Sequence, residues 1–137
     1  MTRPKNYFLV LSIIILLISS ATAQTAAAKL PDTPAGKLVA AYLKAFNSGD
    51  DKVMADYFAK HLAKSALEKV PVEDRVKRYR GMYDDLQGLE FQRVLEAESS
   101  KIQIVAKTKG GGMVKLSFEL ESQPPYGQLG LRIEPYE

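Results

Sequence analysis

Cysteine is absent from the 137 residues, and that absence removes thiolate catalysis, cysteine-ligated metal sites and disulfide staples together. Histidine occurs once, as His61, so a zinc site has no second imidazole and no clustered carboxylate set stands in for one. No metal and no cofactor are expected. Basic runs interleaved with aromatic residues are missing too, and the 26% of charged residues carry both signs, so nucleic acid is not expected as a partner. Serine-nucleophile signatures are lacking beyond the leader described next: neither S-x-x-K nor G-x-S-x-G occurs, and Ser65 with Lys69 and Ser100 with Lys101 have other spacings.

An unbroken apolar run of bilayer length is also absent. About 20 apolar residues normally span a bilayer, whereas the run over residues 8–18 is interrupted by Ser12 and followed by Ser19 and Ser20. With Arg3 and Lys5 before it and Ala21-Thr22-Ala23 after it, residues 1–23 read as a secretory signal peptide. A retained anchor is the competing reading; after cleavage no membrane association is expected, and the protein would be exported, periplasmic or extracellular. Arg3 and Lys5 lie in that leader, so the excess of 19 basic over 16 acidic side chains nearly vanishes in the remainder. What is left has the size of one ordinary domain with a real core. Residues 24–32 are small and Ala-rich, a flexible spacer, and residues 33–137 form a single domain.

The front of that domain is helical. Thr33 or Asp32 can cap a first turn that Pro34 enters without losing a hydrogen bond. Leu38, Tyr42, Ala45 and Phe46 then recur at i, i+4, i+7 and i+8, with Val39 and Leu43 widening the stripe. Asn47-Ser48-Gly49 ends the helix, and Asp50 caps the next. Residues 51–62 repeat the period with Val53, Tyr57, Phe58 and Leu62 inward, and residues 63–71 form a turn or a ragged extension. A third helix opens at Pro71 and Val72, buries Val72, Val76, Tyr79, Tyr83 and Leu86, and stops at Gly88.

From Leu89 the period falls from 3.6 to 2. Strands are expected over residues 89–98 (Leu89, Phe91 and Leu95 on one face), 101–107 (Ile102, Ile104 and Ala106) and 113–121 (Val114, Leu116, Phe118 and Leu120), closing with Leu129, Leu131 and Ile133. Ser99-Ser100, Gly110-Gly111-Gly112 and Pro124-Pro125-Tyr126-Gly127 connect them. The fold class is α+β, three helices packed on a curved four-stranded antiparallel sheet around a cone-like interior.

The runs TPAGKLVAAYLKAFNSGDD, MADYFAKHL, EDRVKRYRGMYDDLQGLEFQRV and MVKLSFELESQPPYGQLGLRIE resemble the nuclear transport factor 2-like (SnoaL-like) superfamily, whose cystatin-like roll matches this order. More narrowly they resemble the small N-terminal domain that exported bacterial serine beta-lactamase-related hydrolases and carboxy-terminal-processing-type peptidases carry. Their nucleophile lies in a domain this chain does not show, so hydrolysis does not carry over. The resemblance implies either a non-catalytic module or a cone-site lyase or isomerase. Such enzymes place a base and a hydrogen-bond donor together, because proton abstraction beside a carbonyl needs both.

His61 is the weak catalytic candidate; as a lone histidine it reads first as a surface or helix-end residue. Tyr42, Tyr57, Tyr79 and Tyr83 lie on apolar helix faces, where core packing is the primary reading and hydroxyls aimed into a ligand pocket the functional one. Arg93 interrupts an apolar strand face, so it looks into the cone or onto an interface, or a bulge turns it away. Asp50-Asp51 reads as a cap and Asp84-Asp85 as a solvated helix end. The expected function is an exported non-catalytic domain that binds a small apolar ligand, or pairs through its sheet face with itself or a hydrolase. The alternatives are a small lyase or isomerase using His61 with a tyrosine, and a purely structural module.

Overall fold

The computed structural model describes residues 29–137; the expected leader, and residues 24–28 of the spacer, lie outside that range. Four helices precede the sheet: α1 (Pro34–Asn47), α2 (Asp51–His61), α3 (Lys64–Lys69) and α4 (Val72–Leu86). The strands β1 (Leu89–Ala97), β2 (Lys101–Thr108), β3 (Met113–Leu120) and β4 (Gln128–Pro135) follow as an antiparallel meander in the order β1-β2-β3-β4. The class is α+β. Among the described residues, no helix is long and apolar enough to cross a membrane.

The first hairpin forms as its caps dictate. The Thr33 hydroxyl accepts from the Gly36 amide at 3.1 Å, and the Asp50 carboxylate accepts from the Lys52 and Val53 amides at 2.8 and 3.2 Å. Gly49 between them has φ +64°, a conformation a Cβ disfavours. Asn47 then acts as a piece of backbone: its Nδ2 donates to the Leu89 carbonyl at 2.9 Å and its Oδ1 accepts from the Leu89 amide at 2.8 Å. The end of α1 is thereby fixed to the start of β1, which lays the α1 stripe along the sheet.

Three details of the helices differ from expectation. Residues 64–69 wind into α3, a helix too short to show a period. Met54 is buried in place of the expected Val53, and Val53 is 42% exposed; one helical position is 100° of arc, and the buried face of α2 centres on Met54, Tyr57 and Phe58. Finally, α4 ends one residue early, because Gln87 itself takes the left-handed position at φ 57°.

The sheet's inner face holds Ile102, Ile104, Ala106, Val114, Leu116, Phe118 and Leu120, all buried. Bulges interrupt the alternation on both outer strands. In β1 the register slips between Phe91 and Arg93 and again between Val94 and Glu96. That puts Val94 inside and leaves Leu95 exposed, the reverse of the expected parity, because each extra residue flips every side chain after it. In β4 the extra residue is Leu129: Gly130 pairs with Glu119 while Gln128 pairs with Leu120. Leu129 is exposed and Gln128 faces inward.

A fifth piece of backbone joins that end of β4. Leu62 forms an isolated parallel bridge to Gln128, and the Ala63 amide donates to the Gln128 carbonyl at 2.9 Å. Gly127 permits this approach, since a Cβ there would meet the Ala63 backbone at 2.7 Å.

Candidate functional site

The helices do not share the sheet equally. α1 packs on β1, β2 and β3 and α3 on β4, whereas α4 makes its main contacts with α2. Two interactions hold α4 there: the Tyr79 hydroxyl donates to the Phe46 carbonyl at 2.9 Å, and Arg80 pairs with Asp51. Standing on α2 rather than on the sheet, α4 leaves a cavity of about 490 Å³ between itself and β3 and β4.

Apolar side chains make most of its wall: Met54, Phe58, Met82, Leu86, Leu131 and Ile133. Arg78 and Asp85, both exposed and of opposite sign, stand at its solvent edge. Arg75 also lines it, but its guanidinium is engaged with the end of α3, donating from Nη2 to the Ala66 carbonyl at 2.7 Å and from Nε to the Val70 carbonyl at 2.9 Å.

The polar interior of the cavity is small. Gln128, 3% exposed, lines it from β4, and its Oε1 accepts a 2.6 Å hydrogen bond from the Tyr57 hydroxyl. Tyr42, 2% exposed, lines it from α1 and packs edge-on against Tyr57, ring centroids 5.5 Å apart. Burial pushes the Tyr42 phenol far above the ordinary tyrosine range, with Tyr79 adding to it, and burial does the same to Tyr57, with Tyr42 adding. Both are neutral hydroxyls at any physiological pH: donors of hydrogen bonds rather than bases.

The candidate residues therefore separate. Tyr42 and Tyr79 line the cavity, but the Tyr79 hydroxyl is spent on Phe46. Tyr57 acts on it through Gln128. Tyr83 lies over the α1–α2 turn, where a Cβ on Gly49 would meet its hydroxyl at 2.9 Å. Arg93 is turned to the outer face by the first β1 bulge, in a cross-strand row with Val105, Lys115 and Glu134. There it donates to the Tyr136 hydroxyl at 2.9 Å and lies over that ring, 5.2 Å from its centroid. It looks away from the interior, and the bulge explains its place in an apolar strand.

His61 does not reach the cavity either. It stacks on the Tyr57 ring, centroids 4.8 Å apart, beside a separate hollow of about 200 Å³ that Lys60, Pro125 and Tyr126 also line. Its pKa is lowered from the ordinary 6.5, first by partial burial and then by Lys60. Among the described residues no three His, Asp or Glu side chains are grouped to hold a metal ion.

Gln128 is the site residue that sequence reasoning missed. A strand alternation running back from Ile133 and Leu131 reaches Leu129 and assigns Gln128 to solvent. The signal was Gly130, since an isolated glycine inside a strand often marks a bulge. Comparison with protein-family models, with curated proteins and with solved structures finds no match to this chain.

Proposed function

We propose that this chain is an exported, non-catalytic domain of the nuclear transport factor 2-like kind, and that it binds a small apolar ligand between α4 and the sheet. One observation carries the reading: the roughly 490 Å³ cavity with a mainly apolar wall, a size within the range of small-molecule sites. The cone and cystatin-like roll of that superfamily agree with helices that cover the sheet at α1 and stand off it at α4. Export rests on the leader read in residues 1–23.

The lyase or isomerase reading has less behind it. Its base, His61, lies beside a different hollow, and the cavity's tyrosines are held neutral. A dimer through the outer sheet face has less as well, for that face is lined by Lys101, Lys115, Glu119, Arg132 and Glu134.

Native mass spectrometry and thermal shift, on protein recovered from the periplasm of a bacterium expressing the full sequence, test both halves of the reading. A chain beginning at Gln24, whose Tm rises with the concentration of at least one compound in a panel of apolar metabolites, is the expected result. A monomer that no compound stabilises would overturn ligand binding, and a retained leader would overturn cleavage.

A further inference from the structure

The cavity is not uniformly greasy, and its exceptions say what a ligand must carry. The Gln128 carboxamide uses Oε1 on Tyr57 and keeps its Nε2 without a partner among the described residues. The Tyr42 hydroxyl likewise has none, and neither atom is sealed off from the cavity that both side chains line. Two donors that line one largely apolar cavity, neither with a partner on its wall, favour a ligand that brings an acceptor.

The charge of that acceptor follows from the same wall. Among the described residues, the one lining cation set back from the rim, Arg75, is engaged with the Ala66 and Val70 carbonyls, and the exposed rim charges Arg78 and Asp85 oppose one another. A carboxylate carried inward would lose its hydration with no free cation on that wall to meet it. A neutral oxygen would not. Resting on the cavity reading above, we infer that the ligand is a compact apolar molecule bearing one neutral carbonyl-type oxygen, a ketone, ester or amide, which accepts from the Tyr42 hydroxyl and the Gln128 amide. Tyr57 is then a positioning residue: by donating to Oε1 it sets the carboxamide with its NH2 toward the ligand. Met54, Phe58, Leu131 and Ile133 receive the hydrocarbon part.

The test uses 2-acetylnaphthalene, its hydrocarbon isostere 2-isopropenylnaphthalene and 2-naphthoate, with affinities for protein expressed from the full sequence measured by isothermal titration. In wild type the ketone is expected to bind about thirtyfold more tightly than the hydrocarbon, the size of two net hydrogen bonds, and the carboxylate to bind most weakly. Tyr42→Phe should cut the ketone's advantage to about fivefold, the share of the remaining Gln128 amide, while leaving the hydrocarbon's affinity unchanged. It removes a hydroxyl that holds nothing else, so the fold is kept even if Gln128→Leu, which strips Tyr57 of its acceptor, fails to fold. Equal binding of ketone and hydrocarbon would overturn the inference while leaving the cavity reading intact. So would a ketone advantage that Tyr42→Phe leaves undiminished, or tightest binding by the carboxylate. No binding of any of the three would overturn both.

Discussion

The two sides of this molecule are built from the same kinds of side chain and end in opposite states. Where α1 crosses β2 and β3, Val39, Phe46, Ile102, Ile104, Leu116 and Phe118 fill the interior and have no exposed surface. Where α4 faces β4, Met82, Leu86, Leu131 and Ile133 stop short of one another and line a chamber. Hydrophobic pattern decides that a face turns inward; where a helix is anchored decides whether that face is filled. α1 is tied to the sheet at Asn47 and Leu89, whereas α4 meets the β2–β3 turn at its end, where the Leu86 carbonyl accepts from Lys109, and is tied along its length to α1 and α2 through Tyr79 and Arg80.

That contrast breaks first on its solid side. Phe118→Ala should cost about 3–5 kcal/mol in urea unfolding, since the vacated space has no room to collapse; a loss under about 1 kcal/mol would mean that this side is not close-packed. Enlarging a side chain on the hollow side should do much less. Leu131→Phe is expected to change stability by no more than about 1 kcal/mol, because the added carbons enter empty space, and to abolish the Tm rise given by any stabilising compound. Destabilisation on the scale of Phe118→Ala would show the chamber to be smaller than described.

The smallest effect sharpens the comparison from outside both regions. His61 has a folded-state pKa below its ordinary 6.5, so as pH falls through that value the unfolded chain takes up the proton first and stability drops. Between about pH 7.5 and pH 5, the Tm of wild type should therefore fall more than that of His61→Gln, by a small margin because the ring is partly solvated. Parallel curves would place His61 in bulk-like water.

Most of the solid side is legible in the amino-acid sequence. Thr33, Pro34, Gly49 and Asp50 mark α1 and its turn by local chemistry that needs no partner, and the strict alternation of β3 names its own inner face. The hollow side is less so. The stripe of α4 is readable, but only the tertiary ties of Tyr79 and Arg80 reveal that it stands away from the sheet. Parity fails where a strand carries an extra residue: Leu95 gives way to Val94, and Leu129 to Gln128, because a bulge is a property of two paired strands and leaves little trace in one. α3 is hidden by its length. The tyrosines stand out as a group, yet which of them keeps its hydroxyl for the cavity depends on the Phe46 carbonyl and the Gln128 amide, neither of which the helical period reports.

The seat of Gln128 is also a joint. Its carbonyl is held by Ala63 and its backbone pairs with Leu120 on the other side, so the elbow between α2 and α3 is hydrogen-bonded to the start of the last strand. A ligand seated against Gln128 would therefore rest on the α2–α3 elbow as well as on the strand.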